Sequence, residues 1–268
     1  MLISHEVPIS LLETSKQFND YDYCLLHLTY DFSEYKKFYI NSIKSGRKVL
    51  LDNSLFELGD SLTNNQLAQG VLDINPTWYV IPDCLNNCNE TIDRFKSFKK
   101  DYPDLPGLAI GVVQGSTLDE LVKCYKYMSK YADKIAIPFD SKGFDDLVYN
   151  KDELEKWCQG RYLFVKYLID NKIWNYNKPH HLLGCSYAKE FSNYIYNNLN
   201  IESVDTSNPI VAGICYLKYE KNGLKTKPSI KLCNLINCVP SQKQLDLIKY
   251  NVSRFKEIFN YYEMDNVF

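Results

Sequence analysis

At 268 residues, 45% hydrophobic and 24% charged, the chain is large enough for one sizeable core and needs no more than one domain. Its formal net charge of −2 does not point to nucleic-acid binding and does not exclude it, because a local basic patch is invisible in a total. No apolar run approaches the roughly 20 residues of a membrane span, and His5 and Glu6 interrupt the N-terminus early, so neither a membrane anchor nor a secretory signal is expected.

In chain order, residues 21–31 (YDYCLLHLTYD) predict a strand and 32–46 a helix. Residues 47–54 predict the next strand, and 62–75 a helix with Leu67, Val71 and Ile74 on one face. A strand over 77–83 leads to a helix over 89–102, and a strand over 107–115 to a helix over 117–132. That last helix has Thr117 as N-cap and Glu120 three residues on, the pattern of a capping box. A strand over 134–140, a helix over 151–172, a strand over 180–186, a helix over 188–199 and a strand over 201–207 follow. Residues 211–217 (VAGICYL) predict a last strand, and 241–264 a long amphipathic helix on the outside.

Strand and helix thus alternate about eight times, with strands apolar throughout, as when both faces are buried. A single (β/α)8 barrel of the TIM type, one domain over 1–268, fits this order. An open doubly wound sheet is the alternative, weakened because no GxGxxG or P-loop follows the first strand.

The nine cysteines are odd in number, and their spacing gives no structural zinc site; Cys84/Cys88 and Cys233/Cys238 lack nearby partners. His180 and His181 are adjacent, so they cannot share one face of a strand. Free thiols and a cytoplasmic location are expected. The 22 tyrosines fit either an AT-rich coding bias or a surface that stacks on bases.

In a parallel barrel the active site lies where the strands end. The residues there are Asp52, Asp83, Gln114, Asp140, Gly184 and Asp205. Each has a structural reading: Asp83 and Asp140 as turn or cap residues, Asp52 with Asn53 as an Asx turn, Gln114 as a bond to a neighbouring loop. Together they place several carboxylates at one mouth, where repulsion and burial should raise some pKa values.

Four segments at these strand ends, LLDNSLFELGDSL (50–62), GVVQG (111–115), HLLGCS (181–186) and SVDTSNP (203–209), resemble the tRNA-guanine transglycosylase superfamily in order and spacing. The resemblance spans roughly residues 45 to 215. It implies that Asp205 is the nucleophile, Asp52 the general acid/base, Phe56 the aromatic that stacks on the base, Asp83 the reader of its amidine edge and Gln114 the reader of its carbonyl side, with Gly115 and Gly184 also in its pocket. Asn53-Ser54-Leu55 departs from the family's Ser-Gly-Gly, IAIPF stands in place of a Gly-Gly-Leu, and TSNP follows Asp205 where the tRNA enzymes have an arginine-containing turn. No C-x-C-x-x-C exists, so the zinc-binding C-terminal subdomain of the tRNA enzymes is missing.

This compact pattern looks more like the bacteriophage 7-deazaguanine DNA transglycosylases, pentosyltransferases that need no metal or redox cofactor. It implies exchange of guanine in DNA for a 7-deazaguanine such as 7-cyano-7-deazaguanine, with tRNA as the alternative polymer and the host cytoplasm as the location for a phage protein. The sequence leaves room for a homodimer. A metal-dependent barrel hydrolase using the same aspartates, or an inactive nucleic-acid-binding subunit, remains a competing reading. Lys44, Arg47 and Lys48, with Lys96, Lys99 and Lys100, are candidates for phosphate contact or for solvated helix faces.

Overall fold

The computed structural model describes residues 1–148, 153–185, 187–194, 199–224 and 228–264. Eight parallel strands form one sheet: β1 (Leu2–His5), β2 (Asp22–Leu25), β3 (Val49–Asp52), β4 (Trp78–Val80), β5 (Leu108–Val112), β6 (Lys134–Pro138), β7 (His180–Leu183) and β8 (Ile201–Thr206). Their order is β1-β8-β7-β6-β5-β4-β3-β2, so from β2 to β8 each strand pairs with the next in sequence, and β8 also pairs with β1. This is a nearly closed (β/α)8 barrel of the TIM type.

Between β1 and β2 there is no ladder, and two side chains zip the seam. Asp20 N–H donates to the Ile3 carbonyl at 2.9 Å, and Ile3 N–H donates to Asp20 Oδ2 at 2.8 Å. Asn19 completes it by accepting from His5 N–H and donating to the His5 carbonyl, at 2.8 and 2.9 Å.

The helices in chain order are α1 (Leu12–Ser15), α2 (Leu26–Asp31), α3 (Ser33–Lys44), α4 (Leu55–Leu58), α5 (Asn64–Ile74), α6 (Cys88–Asp101), α7 (Leu118–Tyr131), α8 (Glu153–Asp170), α9 (Asn208–Ile214) and α10 (Gln242–Met264). Leu67, Val71 and Ile74 of α5 are buried as their spacing requires. Thr117 caps α7 by accepting from Glu120 N–H, but the Glu120 carboxylate turns to Ser116 instead of closing the box.

Four expected elements differ. The strand expected over 21–31 ends at Leu25, where the Leu25 N–H donates to the Tyr35 hydroxyl at 3.0 Å and the chain enters α2. The last strand expected over 211–217 is helix α9, opened by Pro209 in its first turn. All seven of its residues are buried, between β1 and α10, and after Asn208 none is polar, so it carries no helical stripe to read. The eighth strand is instead β1, at the other end of the chain.

Residues 188–199 do not form the expected α-helix: Ala188–Asn193 is a 3-10 segment, and 195–198 lie outside the described residues. Here α10 supplies the cover, with Phe255 and Phe259 edge-on to Phe191 at 5.3 and 5.4 Å. Similarly, β7 stops at Leu183 with Ser186 outside the described residues, and the start of the helix expected from 151 lies outside them too. Among the described residues no helix is long and apolar enough to cross a membrane. All nine cysteines are free.

Candidate active site

The chain leaves β3 through two consecutive Asx contacts. Ser54 N–H donates to Asp52 Oδ1 at 2.6 Å, and Leu55 N–H to Asn53 Oδ1 at 3.0 Å. Ser54 takes the left-handed conformation, with φ 65°. The turn stops the strand and starts α4 at once, which carries Phe56 and Glu57 over the strand ends. Asp52 therefore does fill the turn role its sequence allows, and it also lines the mouth.

Asp83 is not a helix cap; Asn87 caps α6. The Asp83 carboxylate is held between two amides, Asn53 Nδ2 on Oδ1 and Gln114 Nε2 on Oδ2, each at 2.8 Å. Gln114 is in turn fixed by Asn86 N–H, which donates to its Oε1 at 3.1 Å. Asp205 accepts from His181 Nε2 at 3.0 Å and from Gly184 N–H at 2.9 Å, both on Oδ1. Gly184 has φ +71°, a conformation that suits glycine, and this aims its N–H inward.

Arg161 of α8 fixes that corner. Its guanidinium donates to both Glu190 oxygens and to the carbonyls of Ile137, Leu183 and Gly184, so every N–H of the buried fork is used.

Asp52, Asp83 and Asp205 converge on a cavity of about 480 Å³ at the C-terminal end of the strands, with Phe56, Glu57 and Gly184 also in its wall. Phe56 stands at the rim, 51% exposed, with Phe139 edge-on at 6.0 Å. From far along the chain, Lys231 lies 4.9 Å over the Phe56 ring and donates to the carbonyls of Phe56 and Glu57 at 2.6 and 3.2 Å. Asp140 also lines the cavity. Gln114 and Gly115 do not: Gln114 sits behind Asp83, and Gly115 packs against the first turn of α7.

Burial dominates the electrostatics. Asp52 is pushed well above the usual carboxylate range by desolvation and then by Glu57, against the Ser54 N–H and the Tyr23 hydroxyl. Desolvation raises Asp83 to about 6 in spite of Asn53 and Gln114, and raises Glu57 to about 7 in spite of Lys231. A cavity that favours the acid form of Asp52 and brings Glu57 to about 7, beside Asp205 held by two N–H donors, can run acid–base and nucleophilic chemistry together.

Glu57, His181 and Lys231 were not among the expected site residues. For His181 a signal existed, since alternation sends one of two adjacent histidines inward. Glu57 follows Asp52 by five residues but off the strand, and Lys231 gives no local cue at all. Of the basic clusters, Arg47 forms a fork with Asp22 and Lys48 lies over Trp78, where the strands begin and away from the cavity. Lys96 pairs with Asp93. Among the described residues, the lysines in the cavity wall are Lys142 and Lys231. Among the described residues no group of three or more His, Cys, Asp or Glu is placed to hold a metal ion.

Compared with known proteins, the chain matches no family model and no curated protein.

Proposed function

We propose that this barrel is a nucleic-acid guanine transglycosylase that replaces guanine in DNA with a 7-deazaguanine through a covalent Asp205–sugar intermediate. The observation that carries the reading is the convergence of Asp52 and Asp205, from β3 and β8, on one cavity whose wall also holds Asp83 and an exposed aromatic ring.

In the first half-reaction an Asp205 oxygen bonds C1′ of the deoxyribose as the bond from C1′ to N9 breaks. The electron pair stays with the base, and the Asp52 carboxylic acid gives it a proton, so neutral guanine leaves. In the second half, N9 of the incoming base attacks C1′, loses its proton to Asp52, and expels the Asp205 carboxylate. Burial favours a protonated Asp52, the form the first step needs. On this reading Asp83 accepts from the N1–H and exocyclic amine of a guanine-type base, and Phe56 stacks on it. The target guanine has to be unstacked to reach the cavity.

The test is uptake of labelled guanine into DNA or tRNA, with a denaturing gel for the protein–nucleic-acid adduct. Label is expected in DNA, and Asp205→Ala is expected to abolish both label and adduct while Asp205→Asn still binds free 7-deazaguanine. An active Asp205→Ala enzyme removes the mechanism; label only in tRNA moves the substrate to the other polymer.

A further inference from the structure

The interior of a TIM-type barrel is normally filled by branched apolar side chains in layers. Beneath Asp205 this barrel holds a polar column instead: His181 of β7, Ser203 of β8 and Lys134 of β6, all with 0% exposure. Lys134 Nζ donates to Ser203 Oγ at 2.8 Å and is 3.1 Å from Glu202 Oε2, while lying 4.6 Å from the centre of the Trp78 ring. Ser203 Oγ is 2.9 Å from His181 Nδ1, and His181 Nε2 is 3.0 Å from Asp205 Oδ1.

The chemistry of the column gives it a direction. An ammonium group can only donate, so Ser203 Oγ accepts from Lys134. The serine's own proton is then free for His181 Nδ1, which is the bare nitrogen of the ring. An ionised carboxylate can only accept, so a neutral ring facing one through Nε2 carries its proton there. Among the described residues no hydrogen bond is made by Asp205 Oδ2, because His181 and Gly184 both use Oδ1. The other buried histidines lack this arrangement. Among the described residues neither nitrogen of His5 makes a hydrogen bond, and His180 stacks on Trp174 at 3.8 Å.

We propose that His181 is a positioning residue for Asp205, held as the Nε2–H tautomer by Lys134 through Ser203, so that one carboxylate oxygen is pinned and the other is presented to the cavity. The identity of the electrophile rests on the transglycosylase reading; the tautomer and its cause do not. The charged groups acting on His181 are Asp205 on β8, Lys134 on β6 and Arg161 on α8. Burial and the two cations keep the imidazole neutral beside the carboxylate.

The experiment uses the full chain labelled with 15N-histidine, whose four histidines make long-range 15N–1H spectra assignable by substitution. In the wild type, His181 is expected as a neutral Nε2–H ring throughout the neutral range. In Lys134→Met the cation is gone and Ser203 is free to accept, so His181 is expected to gain a second proton in that range. A wild-type Nδ1–H or doubly protonated ring, or a Lys134→Met spectrum identical to wild type, overturns the proposal.

A kinetic arm separates positioning from simple folding. His181→Ala is expected to slow single-turnover adduct formation roughly 100-fold, the scale of a small misplacement of reacting atoms, with the affinity for free 7-deazaguanine unchanged. His181→Gln, which keeps a side-chain N–H toward Asp205, is expected to recover most of that rate. Equal losses of affinity and rate in His181→Ala, or no recovery by Gln, overturn it. If the wild type forms no adduct, the functional reading falls while the spectra still decide the column.

Discussion

Replacing Asp83 by Asn isolates the free energy held in one buried carboxyl. Burial raises Asp83 from 3.8 to about 6, against the pull of Asn53, Gln114 and Arg94. Between those two values the native protein keeps a proton that the unfolded chain has released. The native state therefore binds more protons, and stability falls as pH rises. The contribution is fully present below pH 3.8 and is lost as pH passes about 6. At roughly 1.4 kcal/mol per pH unit, the gap corresponds to about 3 kcal/mol.

Urea denaturation of wild type and Asp83→Asn at a series of pH values spanning this window measures it. Asn adds an amide donor where two donors already point, which offsets the curve by an amount that does not depend on pH. The pH-dependent part remains: the wild-type stability, relative to the variant, is expected to drop by about 3 kcal/mol as pH rises through the window. Parallel profiles would refute the reasoning, since Asp83 would then not titrate differently in the two states.

Two further substitutions test the supports of the site. In Gly115→Ala the new Cβ would lie 2.7 Å from the Leu121 backbone nitrogen, so a loss of about 1–3 kcal/mol in urea denaturation is expected; lost base affinity at full stability would instead make Gly115 a substrate contact. Arg161→Met leaves the buried Glu190 without its fork and should cost about 3–5 kcal/mol, whereas Arg161→Met with Glu190→Met should recover most of that, again by denaturation.

The barrel was legible because its strands are apolar on both faces and end in polar residues, a pattern that helices β-strand by β-strand interrupt at regular spacing. Besides the strand expected over 21–31 and the helix expected over 188–199, legibility failed at β1 and α9. β1 is four residues of mixed character, LISH, whose inward and outward sides are both buried, and nothing local marks it as a strand. α9 is the opposite case: NPIVAGI is buried on all sides, so its apolar run imitates a buried strand, and only Pro209 hints at a helix.

The strand-end rule placed Asp52, Asp83 and Asp205 at the mouth, where they line the cavity, because it depends only on where each strand stops. It placed Gln114 by the same rule, yet that side chain turns to Asp83 and stays out of the cavity wall. Lys231 was beyond reach, since its approach to Phe56 and Glu57 is a contact between segments more than 170 residues apart.

The three strand-end carboxyls are chemically alike in sequence and are made different by what surrounds them. Asp52 receives a backbone N–H and a tyrosine hydroxyl, but burial and the nearby Glu57 outweigh both, so its acid form is favoured. Asp83 is clamped by two amides and thereby loses the freedom to turn. Asp205 meets two N–H donors and ends a column whose far end is a buried ammonium group. A proton donor, a fixed acceptor and an oriented anion are three separate tasks, and base exchange at a sugar carbon needs all three within one cavity. The polar column replaces apolar filling in the barrel interior, where a buried lysine lowers stability unless it is fully partnered. Glu202, Ser203 and the Trp78 ring partner it here. A barrel required only to stay folded gains nothing from that substitution, so the column is best explained by the carboxylate it ends on.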